Sequence, residues 1–95
     1  MQHLIVSRHP AAIEFIRNEL PAFSDAPVLA SATVDDVRGA DVAGNLPLDL
    51  AAEARVVRAI VYPAGRAPRG SEYTLEDMYE AGAAIKSYYV FAAQD

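Results

Sequence analysis

The first apolar run of the chain, Leu4-Ile5-Val6, stops at Ser7-Arg8-His9-Pro10, and an amphipathic segment from Ala11 to Leu20 follows at once. A short β-branched run of this kind reads as a buried strand over residues 3–7. Pro10 suits the first turn of a helix, where a missing N–H costs nothing. Ile13, Ile16 and Leu20 recur at spacings of three and four and form the core face, and Pro21 is the stop signal. A strand that hands over to a helix this quickly leaves a tight turn holding the helix's unpaired first N–H groups. A guanidinium and an imidazole lie in that same turn. The combination offers a seat for a phosphate or another anion, beside a group that can move protons near neutral pH.

The rest of the chain repeats and completes this arrangement. Pro21 to Pro27 reads as a loop, Val28 to Thr33 as a second strand near an edge, and Val34 to Ala40 as a polar turn marked by Gly39. Asp41 to Asn45 reads as a third strand ending in Gly44-Asn45. In the segment from Leu46 to Ala54, Pro47 takes a first-turn position, and Leu50, Ala51 and Ala54 give an apolar stripe. Val56 to Tyr62 is a fourth strand, and Pro63 to Ser71 is a loop rich in Pro, Gly and Arg. Thr74 with Asp77 forms a capping-box pattern ahead of a third helix, whose face is Leu75, Met78 and Tyr79 and which Gly82 ends. Ile85 to Ala92 reads as a last strand, with Tyr88 and Tyr89 on opposite faces, one of them in the core.

Strands alternating with helices imply right-handed crossovers and a mostly parallel α/β sheet, here about five strands and three helices in one domain spanning 1–95. Ligands bind such sheets outside the C-terminal ends of the strands. Ser7 to Pro10, Gly44 to Pro47 and Tyr62 to Ser71 are therefore expected on one rim.

Charge narrows the ligand. The net charge of −5 disfavours long DNA or RNA. Yet Ala54 to Ser71 holds four arginines (Arg55, Arg58, Arg66, Arg69) and no acid, and Met1 to Ile13 holds Arg8 and no acid. An acidic exterior with one local basic site suits a compact anion. Arg66 and Arg69 leave the ligand rim and are read as phosphate contacts, whereas Arg55 and Arg58 lie at the opposite end and are read as structural. Asp35-Asp36 is read as a solvated surface pair. His3 is separated from His9 by six residues, roughly 20 Å of strand, so the two cannot share a metal within one subunit. The chain has no cysteine, which excludes disulfides, thiolate nucleophiles and zinc-thiolate sites. No metal or other cofactor is expected. No apolar run approaches the roughly 20 residues of a membrane helix, and the N-terminus lacks signal-peptide features, so a cytoplasmic protein is the expectation.

Three stretches together carry a family resemblance: Ser-Arg-His-Pro-Ala-Ala-Ile-Glu-Phe at 7–15, Gly-Asn-Leu-Pro-Leu-Asp-Leu-Ala-Ala-Glu at 44–53, and Arg-Gly-Ser-Glu-Tyr-Thr-Leu-Glu-Asp-Met at 69–78. The chain resembles a family of small CRISPR-associated proteins found with type III systems, whose relatives are ring nucleases. The resemblance implies a compact Rossmann-like fold, akin to the CARF domains that sense cyclic oligonucleotides. It implies a cyclic oligoadenylate as substrate, with cyclic tetra-adenylate the expected ring, and a homodimer offering one rim from each subunit. The reaction it implies is attack of a ribose 2′-hydroxyl on the adjacent phosphate, giving linear products with 2′,3′-cyclic phosphate ends and needing no metal. His9 would transfer a proton, Arg8 and Ser7 would act on the phosphate, and Pro10, Asn45, Leu46, Arg66, Arg69 and Ser71 would hold the ring. The same fold could instead sense or sequester the ring without cutting it. Arg8-His9 after a first strand also resembles the histidine phosphatase turn, but Pro replaces its Gly and a second active-site histidine is lacking.

Overall fold

The computed structural model describes residues 2–68, 70 and 72–94. The first strand, β1, runs over His3–Val6, and α1 over Pro10–Glu19. Pro10 opens α1, Ala12, Phe15 and Ile16 form its buried face, and Leu20 closes it by donating to the Ile16 carbonyl. A single 3-10 turn at Pro21–Phe23 then turns the chain towards β2, Val28–Leu29. The further elements are α2 (Val34–Val37), β3 (Asp41–Ala43), α3 (Leu48–Ala51), β4 (Val56–Val61), α4 (Leu75–Glu80) and β5 (Ala84–Tyr88).

The five strands form one sheet in the order β2-β1-β3-β4-β5. The first four are mutually parallel, and β5 returns antiparallel to β4. This is a Rossmann-like, doubly wound sheet, with the strand order reversing between β1 and β3. Helices cover both faces. Ile5 and Ala43 face the side of Phe15, Ile16, Phe23 and Met78, while Leu4 and Val42 face Val37 and Ala40. Burial on both faces explains why the central strands read as unbroken apolar runs rather than as alternating ones.

Several elements differ from the sequence reading. The segment 34–40 is not only a turn, because it contains α2, which makes four helices rather than three. Thr33 and Asp36 close a reciprocal capping box there: the Thr33 N–H donates to Asp36 Oδ2 at 2.8 Å, and the Asp36 N–H donates to Thr33 Oγ1 at 3.3 Å. Asp35 takes Arg38 at 2.8 Å. A four-residue helix has too few positions to show a period, and Thr33 reads as the end of the second strand, so the sequence reading misses α2. The second strand covers two residues of the expected six, and 30–33 is loop. The helix expected over 46–54 shortens to α3, with Pro47 as its N-cap. The last strand stops at Tyr88. Tyr88 and Tyr89 are both exposed, 39% and 72%, so neither enters the core. The cause is position: β5 is an edge strand, and Ile85 is its one half-buried residue.

At the N-terminal end of the sheet, Arg58 Nε and Nη2 each donate to the buried Asp41 carboxylate at 2.9 Å, and Nη1 donates to Ser87 Oγ at 2.8 Å. The Asp41 hydrogen bond holds the Arg58 guanidinium above its ordinary range, against the opposing effect of burial. Arg58 is thus a structural cation tying β3, β4 and β5 together.

Candidate functional site

The carboxyl ends of β1 to β4 open onto one cleft of about 420 Å³. Ser7, Arg8 and His9 line it after β1, Ala30 to Ala32 after β2, and Gly44 to Pro47 after β3, with Ile60 and Tyr62 at the end of β4. Tyr73, just ahead of α4, completes the wall. The cleft therefore lies at the β1/β3 switch point, where diverging connections leave a crevice that a doubly wound sheet cannot fill by itself.

Gly44 lets the two central turns come together. Its φ is +138°, and a Cβ at this position would overlap the Val6 carbonyl oxygen. The end of β3 thereby passes against the end of β1 with no side chain between them. Asn45 then continues the sheet after β3 has stopped. Its Oδ1 accepts from the Ile60 N–H at 2.9 Å, and its Nδ2 donates to the Ile60 carbonyl at 3.1 Å. The carboxamide imitates the backbone of one more strand residue. Asn45 thus stands at the cleft with its amide engaged by β4, and Leu46 beside it packs against the α2–α3 side of the core.

In the first turn, Ser7 Oγ accepts from the His9 N–H at 3.1 Å. His9 is the N-cap of α1 in extended conformation, and Ser7 rather than His9 supplies the local side-chain acceptor. Pro10 has no N–H, so the amides of Ala11 and Ala12 are the next helix-start donors without an intrahelical acceptor. The first turn of α1 carries no acid to offset its partial positive charge. Arg8 is exposed, and its Nε donates to the Ala30 carbonyl at 3.2 Å. That bond arches Arg8 over the loop after β2 and engages one edge of the guanidinium. The Nη edge is the one suited to a bidentate phosphate contact.

The His9 imidazole is half-buried and stacks on the Tyr73 ring, with centroids 3.9 Å apart and planes within 10°. Tyr73 was not singled out from sequence. A usable signal existed: it precedes the Thr74 cap, where an apolar residue commonly staples to the fourth helical position, here Met78. Tyr62 lies nearby. Burial, and then Tyr73, push its phenol above the usual range.

Not all of the expected site residues meet in this cleft. Ser7, Arg8, His9, Asn45 and Leu46 do. Pro10 borders an adjoining groove shared with His9, Glu14 and Tyr73. Arg66 lines a separate open depression with Pro68, Gly70, Glu72, Asp77 and Glu80, and Tyr73 is the wall common to both. The 63–68 segment thus carries Arg66 away from the central cleft towards the acids around α4. Arg69 and Ser71 lie outside the described residues. His3 is at the far end of β1, edge-on to Phe23 and 3.8 Å from Asp41. Among the described residues, no group of three or more His, Asp or Glu side chains is placed to hold a metal ion. No helix among them is long and apolar enough to cross a membrane.

A family model described as "Putative CRISPR-associated protein (Cas_VVA1548)" matches residues 4–91. The chain belongs to this CRISPR-associated family. The match runs from within β1 past β5, so it takes in part or all of each strand and every turn that lines the cleft. No curated protein and no solved structure matches the chain.

Proposed function

We propose that this CRISPR-associated protein is a ring nuclease of type III immunity that cleaves cyclic oligoadenylate, cyclic tetra-adenylate first among them. The observation that carries the reading is the switch-point cleft, with His9 at an acid-free helix start and Arg8 beside it. Family membership supports the immune setting. The cleft is of small-ligand size and would hold part of a four-nucleotide ring. A two-fold dimer presenting two clefts to one ring would accommodate the rest.

In the proposed reaction, a ribose 2′-oxygen attacks the adjacent phosphorus in line as the P–O5′ bond breaks. The proton lost from the 2′-hydroxyl is balanced by one delivered to the 5′-oxygen. The products are a 2′,3′-cyclic phosphate and a free 5′-hydroxyl. His9 performs one of these proton transfers. Arg8, with the amides at the start of α1, stabilises the charge that grows on the phosphoryl oxygens. Ser7 holds the turn through the His9 N–H.

The test is incubation of the purified protein with cyclic tetra-adenylate, with and without EDTA, read by product mass. Linear products ending in 2′,3′-cyclic phosphate in both arms support the reading. His9→Ala is expected to lower the rate by roughly 10²–10⁴ with binding retained. Turnover by His9→Ala at the parent rate sinks the assignment of His9. Intact ring recovered from a tight complex replaces the enzyme with a non-cleaving sensor.

A further inference from the structure

We infer that Tyr73 is a positioning residue: its ring fixes the orientation of the His9 imidazole at the mouth of the cleft. This rests on the reading of His9 as the proton-transfer group. The main chain at His9 is set by the helix it caps and by the bond from its N–H to Ser7 Oγ. A main-chain constraint of that kind leaves the two side-chain torsions of a histidine to be settled by packing. One packing partner is Tyr73, parallel to the imidazole within 10° at 3.9 Å. This contact packs one whole face of the imidazole against the phenol ring.

Tyr73 is itself held from the opposite direction. The Thr74 N–H donates to Asp77 Oδ2 at 2.9 Å, and the Asp77 N–H donates to Thr74 Oγ1 at 3.1 Å, which fixes the main chain one residue beyond the tyrosine. The ring packs against the core cluster that contains Met78. The stack therefore couples the start of α1 to the start of α4, two elements about sixty residues apart in sequence. His9 and Tyr73 together divide the central cleft from the adjoining groove, since both residues line both spaces.

The experiment compares the parent protein with Tyr73→Phe and Tyr73→Leu. Tyr73→Phe keeps the aromatic face. Tyr73→Leu keeps an apolar staple for Met78 and removes the face, so the fold is retained and is verified by circular dichroism. Two readouts are taken: the chemical shifts of the His9 ring protons, and kcat and KM for cyclic tetra-adenylate. The parent and Tyr73→Phe are expected to show His9 ring protons displaced upfield by the stacked ring. Tyr73→Leu is expected to lose that displacement and to lose about 10- to 100-fold in kcat with KM little changed, the scale of a misplaced reacting group.

Ring-proton shifts that are the same in all three proteins overturn the inference. So does a Tyr73→Leu enzyme with displaced shifts abolished and kcat unaltered. The two failures separate cleanly. A parent that binds the ring without cutting it removes the ring-nuclease reading while the upfield signature persists. Absence of the signature in an active parent removes the role of Tyr73 alone.

Discussion

Replacing Asn45 tests whether the sheet truly extends through a side chain. The carboxamide makes two hydrogen bonds to the main chain of Ile60, at 2.9 and 3.1 Å, and Ile60 is only 9% exposed. Asn45→Ala removes both and leaves a nearly buried N–H and C=O to find water. Each lost bond is worth about 1 kcal/mol net, and stranding a buried partner raises that to about 1–3 kcal/mol. Asn45 itself is exposed, so water reaches the gap from one side, and the lower half of the range applies. The expected loss is about 2 kcal/mol for the pair. A domain of this size shifts its melting temperature by about 4–8 °C per kcal/mol, so the variant should melt about 8–16 °C below the parent.

Asn45→Asp sharpens the test. A carboxylate still accepts from the Ile60 N–H, but it opposes an oxygen to the Ile60 carbonyl where the amide donated. At neutral pH it should melt no higher than Asn45→Ala. Its deficit should shrink as pH falls through the carboxyl range, because the protonated acid regains the donor. The assay is thermal unfolding followed by circular dichroism at neutral and acidic pH. An Asn45→Ala melt within about 2 °C of the parent refutes the sheet-extending role. So does an Asn45→Asp variant that matches the parent at neutral pH.

Three further outcomes follow from the same geometry. Gly44→Ala forces a side chain into a φ of +138° and against the Val6 carbonyl, which should cost about 1–3 kcal/mol from the main chain alone; a denaturant midpoint equal to the parent's would contradict the close approach of β1 and β3. Asp41→Ala strips Arg58 of both carboxylate bonds and should destabilise by about 1.5–3 kcal/mol, with a double-mutant cycle against Arg58→Ala showing coupling; strict additivity would mean that the pair contributes nothing. Finally, the Tyr62 phenol is raised above 10.0 by burial and then Tyr73, and that of Tyr79 mainly by its bond to Glu19. Because the folded-state values lie above the unfolded ones, their stabilisation is complete below about pH 10 and is lost as pH climbs through the folded-state range. Alkaline titration should show Tyr79→Phe losing less stability than the parent above that pH, and identical profiles would exclude the Tyr79–Glu19 bond as a contributor.

Family membership and the cleft bear on function at different depths. Membership places the chain among CRISPR-associated proteins. The chemistry proposed for the cleft depends on where His9, Arg8 and Tyr73 stand relative to one another, which no stretch of sequence states directly.

Local pattern alone determined a good deal about this protein. The β-branched run before Ser7, the proline at the first helical position and the Ile13/Ile16 spacing are short-range signals, and β1, the turn and α1 follow from them. The pair Thr74/Asp77 carries a helix start in the same way, since both partners of a capping box lie within one turn; the matching box at Thr33/Asp36 is passed over as part of a strand and a turn. The placement of Ser7 to His9 and Gly44 to Leu46 on one rim follows from parallel connectivity. Tertiary structure decided what depends on distant partners. Asn45 commits its amide to Ile60, fifteen residues away, because β3 ends three residues before β4 does. Arg66 lines an open depression with Glu72, Asp77 and Glu80 rather than the cleft, because the path of a Pro- and Gly-containing loop is not set by its composition. The exposure of Tyr88 and Tyr89 reflects an edge position that no alternation of residue types reveals. His9 meets Tyr73 only once α1 and α4 pack side by side on the same face of the sheet. A turn can be read from neighbours in sequence, whereas the orientation of the ring it carries is set by a contact the folded chain alone creates.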